Sequence, residues 1–403
     1  MNNNATNGTQ VKSVVIVGGG VAGASAAFEL RKLGFDGGVT IVTNEQHLPY
    51  KRPPMSKEYL RGEQPIEKAY VKPADQYAEQ NVQLIQGKRV ESIDADSRSI
   101  TLADSSTLPY DALLLATGSA ARRLEIPGAD LSGVHYLRNV EDADAIRAAA
   151  MGAEAIVVIG GGWIGTEVAA SLRQLGRNVT LVSPPPQPLE SILGAEVAGV
   201  YRRLHEENGT KLVIGRVARL EGDDRVADVV LADGTRIPTD MVVAGVGAAP
   251  RLRLARNAGL ALRHGGVDVD AFLQASAPGV YAAGDIATAW HPRYGRHVRV
   301  EHWDNAKEQG KTVAANITGA GKEYDRSPYF YSDQFDLGME YRGLAHGWDD
   351  VVIRGDLEAR EFDAFWLKDG RVVAAMNANR WDDAAELQDL VDSQAQLEVT
   401  AAN

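Results

Sequence analysis

A stretch that begins at Lys12 and reads KSVVIVGGGVAG has glycines at the spacing that a nucleotide pyrophosphate requires. Gly18, Gly20 and Gly23 form G-x-G-x-x-G directly after an apolar, strand-like run, and an alanine-rich helical stretch starts at Ala22. The first glycine permits a tight turn, the second lets the backbone approach the phosphates, and the third lets helix and strand pack closely. The phosphates would bind the free N–H groups at the start of the helix. A glycine-rich turn occurs in many α/β domains, but this strand–turn–helix context favours dinucleotide binding.

The same unit occurs a second time, starting at Ala155, as AIVVIGGGWIGTE. Gly160, Gly162 and Gly165 repeat the spacing, and a helix (Val168 to Leu175) and a strand (Asn178 to Val182) are predicted to follow. The repeat indicates two dinucleotide sites, or one duplicated fold in which one site has been lost.

The two copies differ where the adenosine ribose is expected. In the first copy the predicted strand VTIVT leads to Asn44 and Glu45, about 20 residues beyond the glycines, where an acidic group binds ribose hydroxyls. A solvated loop carboxylate is the alternative for Glu45. In the second copy the strand ends at Ser183, which can still hydrogen-bond a hydroxyl but cannot repel a 2′-phosphate. The preference between NADH and NADPH is therefore weakly specified.

Composition narrows the chemistry further. The 403 residues include no cysteine, which excludes a disulfide, a thiolate nucleophile, a redox dithiol and a cysteine-ligated metal or iron–sulfur cluster. Redox chemistry must then belong to a bound cofactor, and we predict no metal site. The net charge of −12 argues against nucleic-acid binding, and no apolar run approaches the roughly 18–20 residues of a membrane helix. The polar start MNNNATNGTQ resembles neither a signal nor a transit peptide, so we expect a cytoplasmic protein.

The remaining pattern predicts an α/β fold with two Rossmann-like domains, as in glutathione reductase, and a C-terminal α+β domain. Residues 79–118 are β-rich and end in a buried strand followed by Ala116-Thr117-Gly118. Another strand ends at Gly284-Asp285, and a helix is expected from Glu301-His302-Trp303 to about Ile317. Short strands and a last helix over about 382–391 follow. We predict a discontinuous first domain (11–120 and 248–324), a second domain (121–247) and a C-terminal domain (325–403).

With these pieces in order, the chain resembles the FAD-dependent, NAD(P)H-linked ferredoxin reductases, a family related to apoptosis-inducing factor, over about Lys12 to Val391. The most specific segment is LPYKRPPMSK, from Leu48 to Lys57, which is similar to the family pattern P-Y-x-R-P-P-L-S-K. Pro53 and Pro54 should prevent helix formation until after Pro54, and Ser56 can then cap a short helix. Without the resemblance, Arg52 and Lys57 would read as a basic surface loop.

The resemblance implies a role for each glycine unit. The first would bind FAD with Gly18, Gly20, Ala22 and Gly23, and the second would bind NADH or NADPH with Gly160, Gly162, Ile164, Gly165, Ser183 and Gly247. Further FAD contacts implied by the family are Asn44, Glu45, Arg52, Lys57, Val90, Ala116, Thr117, Gly118, Arg122, Gly284, Asp285, Trp303 and Tyr331. Glu301 and His302 would lie near the nicotinamide.

In the family, the counterparts of Lys57 and Glu167 form an ion pair beside the flavin N5 edge. A cation there stabilises the negative charge of reduced flavin, and Glu167 holds the cation in place. A lysine and a glutamate on a helix surface are the alternative. Trp163 directly follows Gly162, at a position where the side chain varies within the family. Its ring would either occupy the nicotinamide pocket or pack within its own domain. The segment Phe330-Tyr331-Ser332-Asp333 resembles the family's F-W-S-D, with tyrosine in place of the tryptophan that stacks near the flavin.

These implications predict an oxidoreductase that passes electrons from NAD(P)H through FAD to an iron–sulfur ferredoxin serving an oxygenase or cytochrome P450. The absence of cysteine favours one-electron export over dithiol relay. The alternatives are an NADH oxidase, a quinone or small-molecule reductase, and a redox-sensing protein like apoptosis-inducing factor. We expect a monomer or homodimer. An acidic ferredoxin would need a basic patch on this acidic chain, either Arg293, Arg296 and Arg299 or Lys51 with Arg52, unless these are solvated loops.

Overall fold

The computed structural model describes residues 11–184 and 186–397, which form two compact units. The first unit contains the described residues up to Lys51, together with Tyr70–Ser119 and Pro250–Arg326. The second contains Arg52–Ala69, Ala120–Ala249 and the residues from Ser327 onward. The proline-rich segment, here Arg52–Ala69, carries Arg52 and Lys57 and thus belongs to the second unit.

The elements follow one another in four groups. The first group is β1 (Ser13–Val17), α1 (Val21–Lys32), β2 (Gly38–Val42), α2 (Ala74–Glu79), β3 (Val82–Ile85), β4 (Val90–Asp94), β5 (Ser99–Leu102), β6 (Thr107–Pro109), β7 (Ala112–Leu115) and β8 (Ser119–Ala121). The second group is β9 (Val134–Tyr136), α3 (Val140–Gly152), β10 (Ala155–Ile159), α4 (Trp163–Gln174), β11 (Asn178–Ser183), α5 (Glu190–Leu193), α6 (Ala195–Glu207), β12 (Lys211–Ile214), β13 (Val217–Glu221), β14 (Asp228–Leu231), β15 (Arg236–Pro238) and β16 (Met241–Ala244). The third group is β17 (Ala248–Pro250), α7 (Arg253–Asn257), β18 (Leu262–Arg263), β19 (Gly266–Val269), β20 (Val280–Ala282), β21 (Ala287–His291), β22 (Arg296–Val298) and α8 (Trp303–Ile317). The last group is β23 (Tyr329–Gln334), β24 (Leu337–Gly343), β25 (Asp350–Asp356), β26 (Glu361–Lys368), β27 (Arg371–Ala378) and α9 (Ala384–Ser393).

A parallel five-stranded sheet, in the order β20-β7-β1-β2-β3, forms the centre of the first unit. Its central strands are buried on both faces, which is why β1 and β7 read as continuous apolar runs rather than alternating ones. Helices α1 and α8 pack on each other closely enough that a Cβ on Gly310 would lie 2.3 Å from the carbonyl oxygen of Ala22. This contact places the helix of the first glycine unit against the middle of α8.

The second unit contains a parallel sheet of the same design, in the order β12-β11-β10-β16-β9. Strands β10 and β11 pair in the register that β1 and β2 use, with Ala155 opposite Asn178 as Ser13 is opposite Gly38. The two Rossmann-like sheets predicted from the repeated glycine motif are therefore confirmed.

An antiparallel sheet in the order β23-β24-β27-β26-β25 also belongs to the second unit. One face buries Phe362, Trp366 and Met376 together with residues of α6, and the other packs on α9 through Leu387. The prediction of short strands followed by a last helix is confirmed, and both faces of the sheet are covered by helices.

Two local predictions are wrong. A 3₁₀ turn spans Pro53–Ser56, so helical backbone begins at the first proline rather than after the second. Proline fits the first helical positions because the N–H that it lacks has no partner there. Ser56 ends this turn instead of capping a helix. The helix of the second glycine unit begins at Trp163, immediately after the glycines, rather than at Val168.

Candidate functional site

The first glycine turn is shaped by close backbone contacts. Gly18 has φ +127°, and a Cβ there would lie 2.1 Å from the carbonyl oxygen of Ala116. A Cβ on Gly23 would lie 2.4 Å from the carbonyl oxygen of Gly18. Gly20 is different, because a Cβ there would have no atom within 4 Å. The first and third glycines are thus required by packing, while the second faces open space.

The second turn repeats this arrangement position by position. Gly160 has φ +113° and would place a Cβ 2.3 Å from the carbonyl oxygen of Gly245, and a Cβ on Gly165 would lie 1.9 Å from that of Gly160. A Cβ on Gly162 would again meet nothing within 4 Å. The repeat in sequence is therefore a repeat in three dimensions.

Both turns fit a dinucleotide pyrophosphate. Helices α1 and α4 begin after Gly20 and Gly162, and neither N-terminus has a side-chain cap. The first N–H groups of a helix need an acceptor, and phosphate oxygens supply it where side chains do not. The open space at the second glycine is where such a ligand would approach.

Four further candidates of the first unit lie just beyond strands of its parallel sheet, whereas Val90 lies in the separate sheet β4-β5-β6. Glu45 follows β2 and accepts a 2.6 Å hydrogen bond from the Tyr50 hydroxyl, while Asn44 is exposed. Beyond β7, Gly118 has φ +61°, and the Thr117 hydroxyl lies 3.4 Å from the carbonyl oxygen of Arg251. Val90 opens β4 and is buried.

The turn after β20 connects this site to α8. The N–H of Gly284 donates a 2.8 Å hydrogen bond to Gln309, and a Cβ on Gly284 would lie 3.5 Å from the Cβ of Ala22. Asp285 is buried. Glu301 forms an ion pair with Arg299, and Trp303 is the first residue of α8, with Lys307 Nζ 5.4 Å from its ring. The structure thus places Gly284, and with it Asp285, beside the first helix of the glycine unit.

In the second unit, Ser183 ends β11 and is buried against the glycine turn. A Cβ on Gly161 would lie 2.5 Å from its Oγ. Ile164 is exposed on the first turn of α4, and Gly247 has φ +103°. The N–H of Arg122 donates to the carbonyl of Gly247.

A buried ion pair joins the proline-rich segment to α4. Lys57 Nζ lies 3.3 Å from Glu167 Oε1, and the side chains are only 3% and 6% exposed. Burial favours the neutral amine, but the negative charge of Glu167, with Asp333 and Glu58 adding to it, holds the pKa of Lys57 above its ordinary value. The amine is therefore a cation at neutral pH, and the predicted contact between the two residues is confirmed.

Two serines that the sequence reasoning did not connect with Glu167 complete its surroundings. The Ser56 hydroxyl donates to Glu167 Oε2 at 2.5 Å, and the Ser332 hydroxyl donates to Oε1 at 2.7 Å. No spacing of residues in the sequence predicts either contact. The nearest clue was that each serine lies in a segment that resembled the family pattern.

Trp163, Tyr331 and Arg52 also belong to the second unit. The Trp163 ring is held edge-on by Tyr201 at 5.8 Å and Phe330 at 5.0 Å, so packing within its own unit is the arrangement observed. The Tyr331 ring lies 5.2 Å from Lys57 Nζ. Arg52 donates a 2.7 Å hydrogen bond to the backbone carbonyl of Arg138.

Comparison with known proteins decides the family. Residues 12–310 match the pyridine nucleotide-disulphide oxidoreductase family, and residues 329–403 match a reductase C-terminal family. The chain belongs to the pyridine nucleotide-disulphide oxidoreductases. Its relatives include the ferredoxin reductase subunit of a 5,5′-dehydrodivanillate O-demethylase from a Sphingobium strain, 40% identical over 94% of this chain and 92% of that protein. Putidaredoxin reductase of Pseudomonas putida is 38% identical over 91% and 89%.

Solved structures agree. The ferredoxin reductase of the CYP199A2 system from Rhodopseudomonas palustris matches with a TM-score of 0.93 and 36% identity over 96% of each chain. The reductase in a covalent putidaredoxin reductase–putidaredoxin complex matches with a TM-score of 0.91 and 36% identity, over 96% of this chain and 94% of that one. This family member is thus an oxidoreductase that uses FAD and NAD(P)H. It has no cysteine, so it lacks the redox disulfide from which its family is named.

His302 should make stability depend on pH. Burial lowers the pKa of His302 to about 4, with Asp285 opposing the shift. In the unfolded chain the imidazole takes up a proton near its ordinary pKa of about 6.5. Between these values the unfolded state binds more protons, so stability falls as the pH drops from about 6.5 to 4, by at most roughly 3 kcal/mol from this residue.

The measurement is urea unfolding of the holoprotein at pH 7 and pH 5, for wild type and His302→Gln. The difference between the two variants isolates His302 from the other histidines. Equal pH dependence in both would contradict the prediction.

Proposed function

We propose that this chain accepts hydride from NADH or NADPH onto FAD and passes the electrons singly to an iron–sulfur ferredoxin that serves an oxygenase or cytochrome P450. The observation that carries the proposal is the buried Lys57–Glu167 pair, whose carboxylate lies on the helix that begins at the second glycine turn. The names of the relatives, reductases of oxygenase and P450 systems, support the same choice.

In this proposal the first glycine turn holds FAD, and the second holds the nicotinamide nucleotide. The N–H groups of α1 and α4 bind the phosphates, and Glu45 and Asp285 bind hydroxyls of the FAD. FAD supplies the ability to take two electrons as hydride and to release them one at a time. Lys57 keeps a positive charge beside the cofactor, and Glu167 and Tyr331 fix the position of that charge. Arg52 and Arg122 serve the phosphates, and Glu301 and His302 lie near the nicotinamide.

We also propose three domains, with the boundaries 11–120 and 248–324 for FAD, 121–247 for NAD(P)H and 325–403 for the C-terminal domain. Within the described residues, no helix is long and apolar enough to cross a membrane. We propose that the protein is cytoplasmic and is a monomer or homodimer.

One stopped-flow experiment tests the acceptor. The holoprotein is reduced with NADH and mixed with a plant-type or vertebrate-type ferredoxin, oxygen or a quinone. Rapid reoxidation by ferredoxin alone is expected, because the similar proteins are reductases of ferredoxin-dependent oxygenase and P450 systems. Faster reoxidation by oxygen or quinone would favour an oxidase or quinone reductase. A persistent long-wavelength band with slow turnover would favour a redox sensor.

We infer that ferredoxin docks at the basic strand pair β21–β22. Arg296 is exposed there, and Trp290, 41% exposed, lies edge-on to His297. Arg293 donates to the carbonyl oxygen of Asp325, which holds it at the same end of the pair. Arg299 is neutralised by Glu301, and Arg52 is engaged by Arg138, so these two contribute less.

Reversing the charge of Arg293 and Arg296 together to Glu should lower ferredoxin-coupled kcat/KM by roughly tenfold at low salt, because oppositely charged patches accelerate association. Reduction of FAD by NADH should not change. The control is Arg98→Glu, an exposed arginine outside this strand pair. A double variant whose ferredoxin-coupled rate and salt dependence match those of wild type would exclude this docking surface.

A further inference from the structure

A chain of buried polar side chains leads away from the Glu167 carboxylate. Ser332 Oγ lies 2.7 Å from Glu167 Oε1, and Gln334 Nε2 lies 3.2 Å from Ser332 Oγ. Gln334 Oε1 lies 3.0 Å from His205 Nε2, and His205 Nδ1 lies 3.3 Å from the hydroxyl of Thr210. The Gln334 and His205 side chains are no more than 1% exposed. These groups are therefore withdrawn from water, and their hydrogen bonds within the protein must satisfy them.

Two groups fix the positions of the protons in this series of hydrogen bonds: Thr166, which bonds to Gln334, and the Glu167 carboxylate. The Thr166 hydroxyl lies 3.1 Å and 3.0 Å from the carbonyl oxygens of Gly162 and Trp163, so its proton is donated to the backbone. Its oxygen can then only accept, and Gln334 Nε2 at 3.0 Å supplies that hydrogen bond. This fixes the orientation of the Gln334 amide.

The second group, the Glu167 carboxylate, accepts hydrogen bonds and donates none. The proton of Ser332 is therefore directed to Glu167, and Ser332 Oγ accepts the second Nε2 proton of Gln334. With both amide protons used, Gln334 Oε1 is left as an acceptor. His205 must donate to it from Nε2, so its neutral imidazole carries the proton on that nitrogen.

The surroundings of His205 agree with a neutral ring. Burial lowers the pKa of His205, and the hydrogen bond to Gln334 only partly opposes this shift. Its Nδ1 can then accept from Thr210. Every donor in the chain from His205 through Gln334 and Ser332 thus points towards Glu167.

We propose that His205, Gln334 and Ser332 are positioning residues for Glu167, and through Glu167 for the Lys57 cation. The inference rests on the proposed function, because it gives Lys57 its task at the flavin. Aligned dipoles stabilise the buried carboxylate without adding a net charge, so Lys57 keeps its full positive charge. The hydrogen-bonded side chains do not relay protons from His205 to Glu167, because the Gln334 amide would have to pass through an unfavourable imidic form.

The test compares two substitutions of the same residue in the holoprotein. His205→Leu removes the donor at similar volume, whereas His205→Gln keeps an amide N–H at the end of its side chain. The control is Thr239→Val, which removes a buried hydroxyl that bonds the Ala155 and Met241 carbonyls away from this chain. The measurements are the midpoint potential of bound FAD and the rate of its reduction by NADH.

We expect His205→Leu to slow flavin reduction on the order of tenfold, because a small displacement of the Lys57 charge is costly to the reaction. Its FAD potential should become more negative. His205→Gln should restore both measurements most of the way, and Thr239→Val should change neither. A merely structural role would lower stability in all three variants and leave the potential unchanged, which would overturn the inference.

A ¹⁵N spectrum of the wild-type histidines provides a test that does not need a folded variant. His205 should be neutral with its proton on Nε2 at pH 7. A charged ring or an Nδ1–H tautomer would overturn the inference. Failure of both NADH and NADPH to reduce wild-type flavin would overturn the proposed function as well, whereas normal reduction with an unaffected His205→Leu variant overturns the inference alone.

Discussion

Lys57→Ala is expected to bind FAD but to be reduced by NADH about 10²–10³-fold more slowly than wild type. In the proposed function, the Lys57 cation would stabilise the negative charge that FAD acquires on reduction. Lys57 Nζ lies 3.3 Å from Glu167 Oε1, and the Tyr331 ring lies 5.2 Å from the same nitrogen and limits its position. Alanine removes the charge and leaves unchanged the first glycine turn, which we propose binds FAD.

The fold should survive this substitution. Glu167 loses its cation but keeps the hydroxyl donors of Ser56 and Ser332. An unpaired buried charge costs about 3–5 kcal/mol in the worst case, and these donors reduce that cost.

Stopped-flow absorbance of the flavin band gives the rate, and the visible spectrum of the purified protein gives the FAD content. Lys68→Ala is the control, because Lys68 is an exposed lysine of the same proline-rich segment. Reduction of Lys57→Ala at the wild-type rate would show that Lys57 has no part in the reaction.

The second large effect separates the two glycine turns. Gly20→Asp should yield a protein without FAD, whereas Gly162→Asp should keep FAD and lose at least about 100-fold in affinity for NADH. In both places a Cβ has no neighbour within 4 Å, and the backbone lies in the extended region that any residue adopts. A carboxylate there caps the helix N-terminus and occupies the N–H groups that phosphate oxygens would bind, and it repels their charge.

Both substitutions should weaken ligand binding without lowering the stability of the fold, because aspartate is a favourable N-cap residue. Circular dichroism should show folded protein for both variants, and the flavin spectrum and an NADH titration measure the two ligands. Gly20→Ala and Gly162→Ala serve as uncharged controls with smaller losses. Loss of FAD from Gly162→Asp with retention in Gly20→Asp would reverse the assignment of the two turns.

Much of the fold could be predicted because its signals are local. The apolar run before Gly18 and the glycine spacing predict strand, turn and helix, since backbone conformation and close packing leave few alternatives at those positions. The repeat at Gly160 predicts a second sheet for the same reason. The predicted strands from Tyr329 onward were found because period-two alternation is a property of neighbouring residues.

The less successful predictions concern places where context overrides local preference. Pro53 reads as a helix breaker, but at the first position of a 3₁₀ turn it is favourable. The start of α4 was placed too late because its first turn contains Trp163 and glycine, which have modest helix propensity. There the glycine turn, rather than propensity, determines where the helix begins.

By itself the sequence determined that the chain carries two dinucleotide turns, that its redox chemistry must come from a cofactor, and which family pattern surrounds Lys57. Only the tertiary structure decided what surrounds Glu167. Ser56 and Ser332 reach its carboxylate across 111 and 165 positions of sequence, and His205 acts through Gln334. No periodicity or spacing encodes such contacts, because they depend on how separate segments pack and on which buried donors a carboxylate must share.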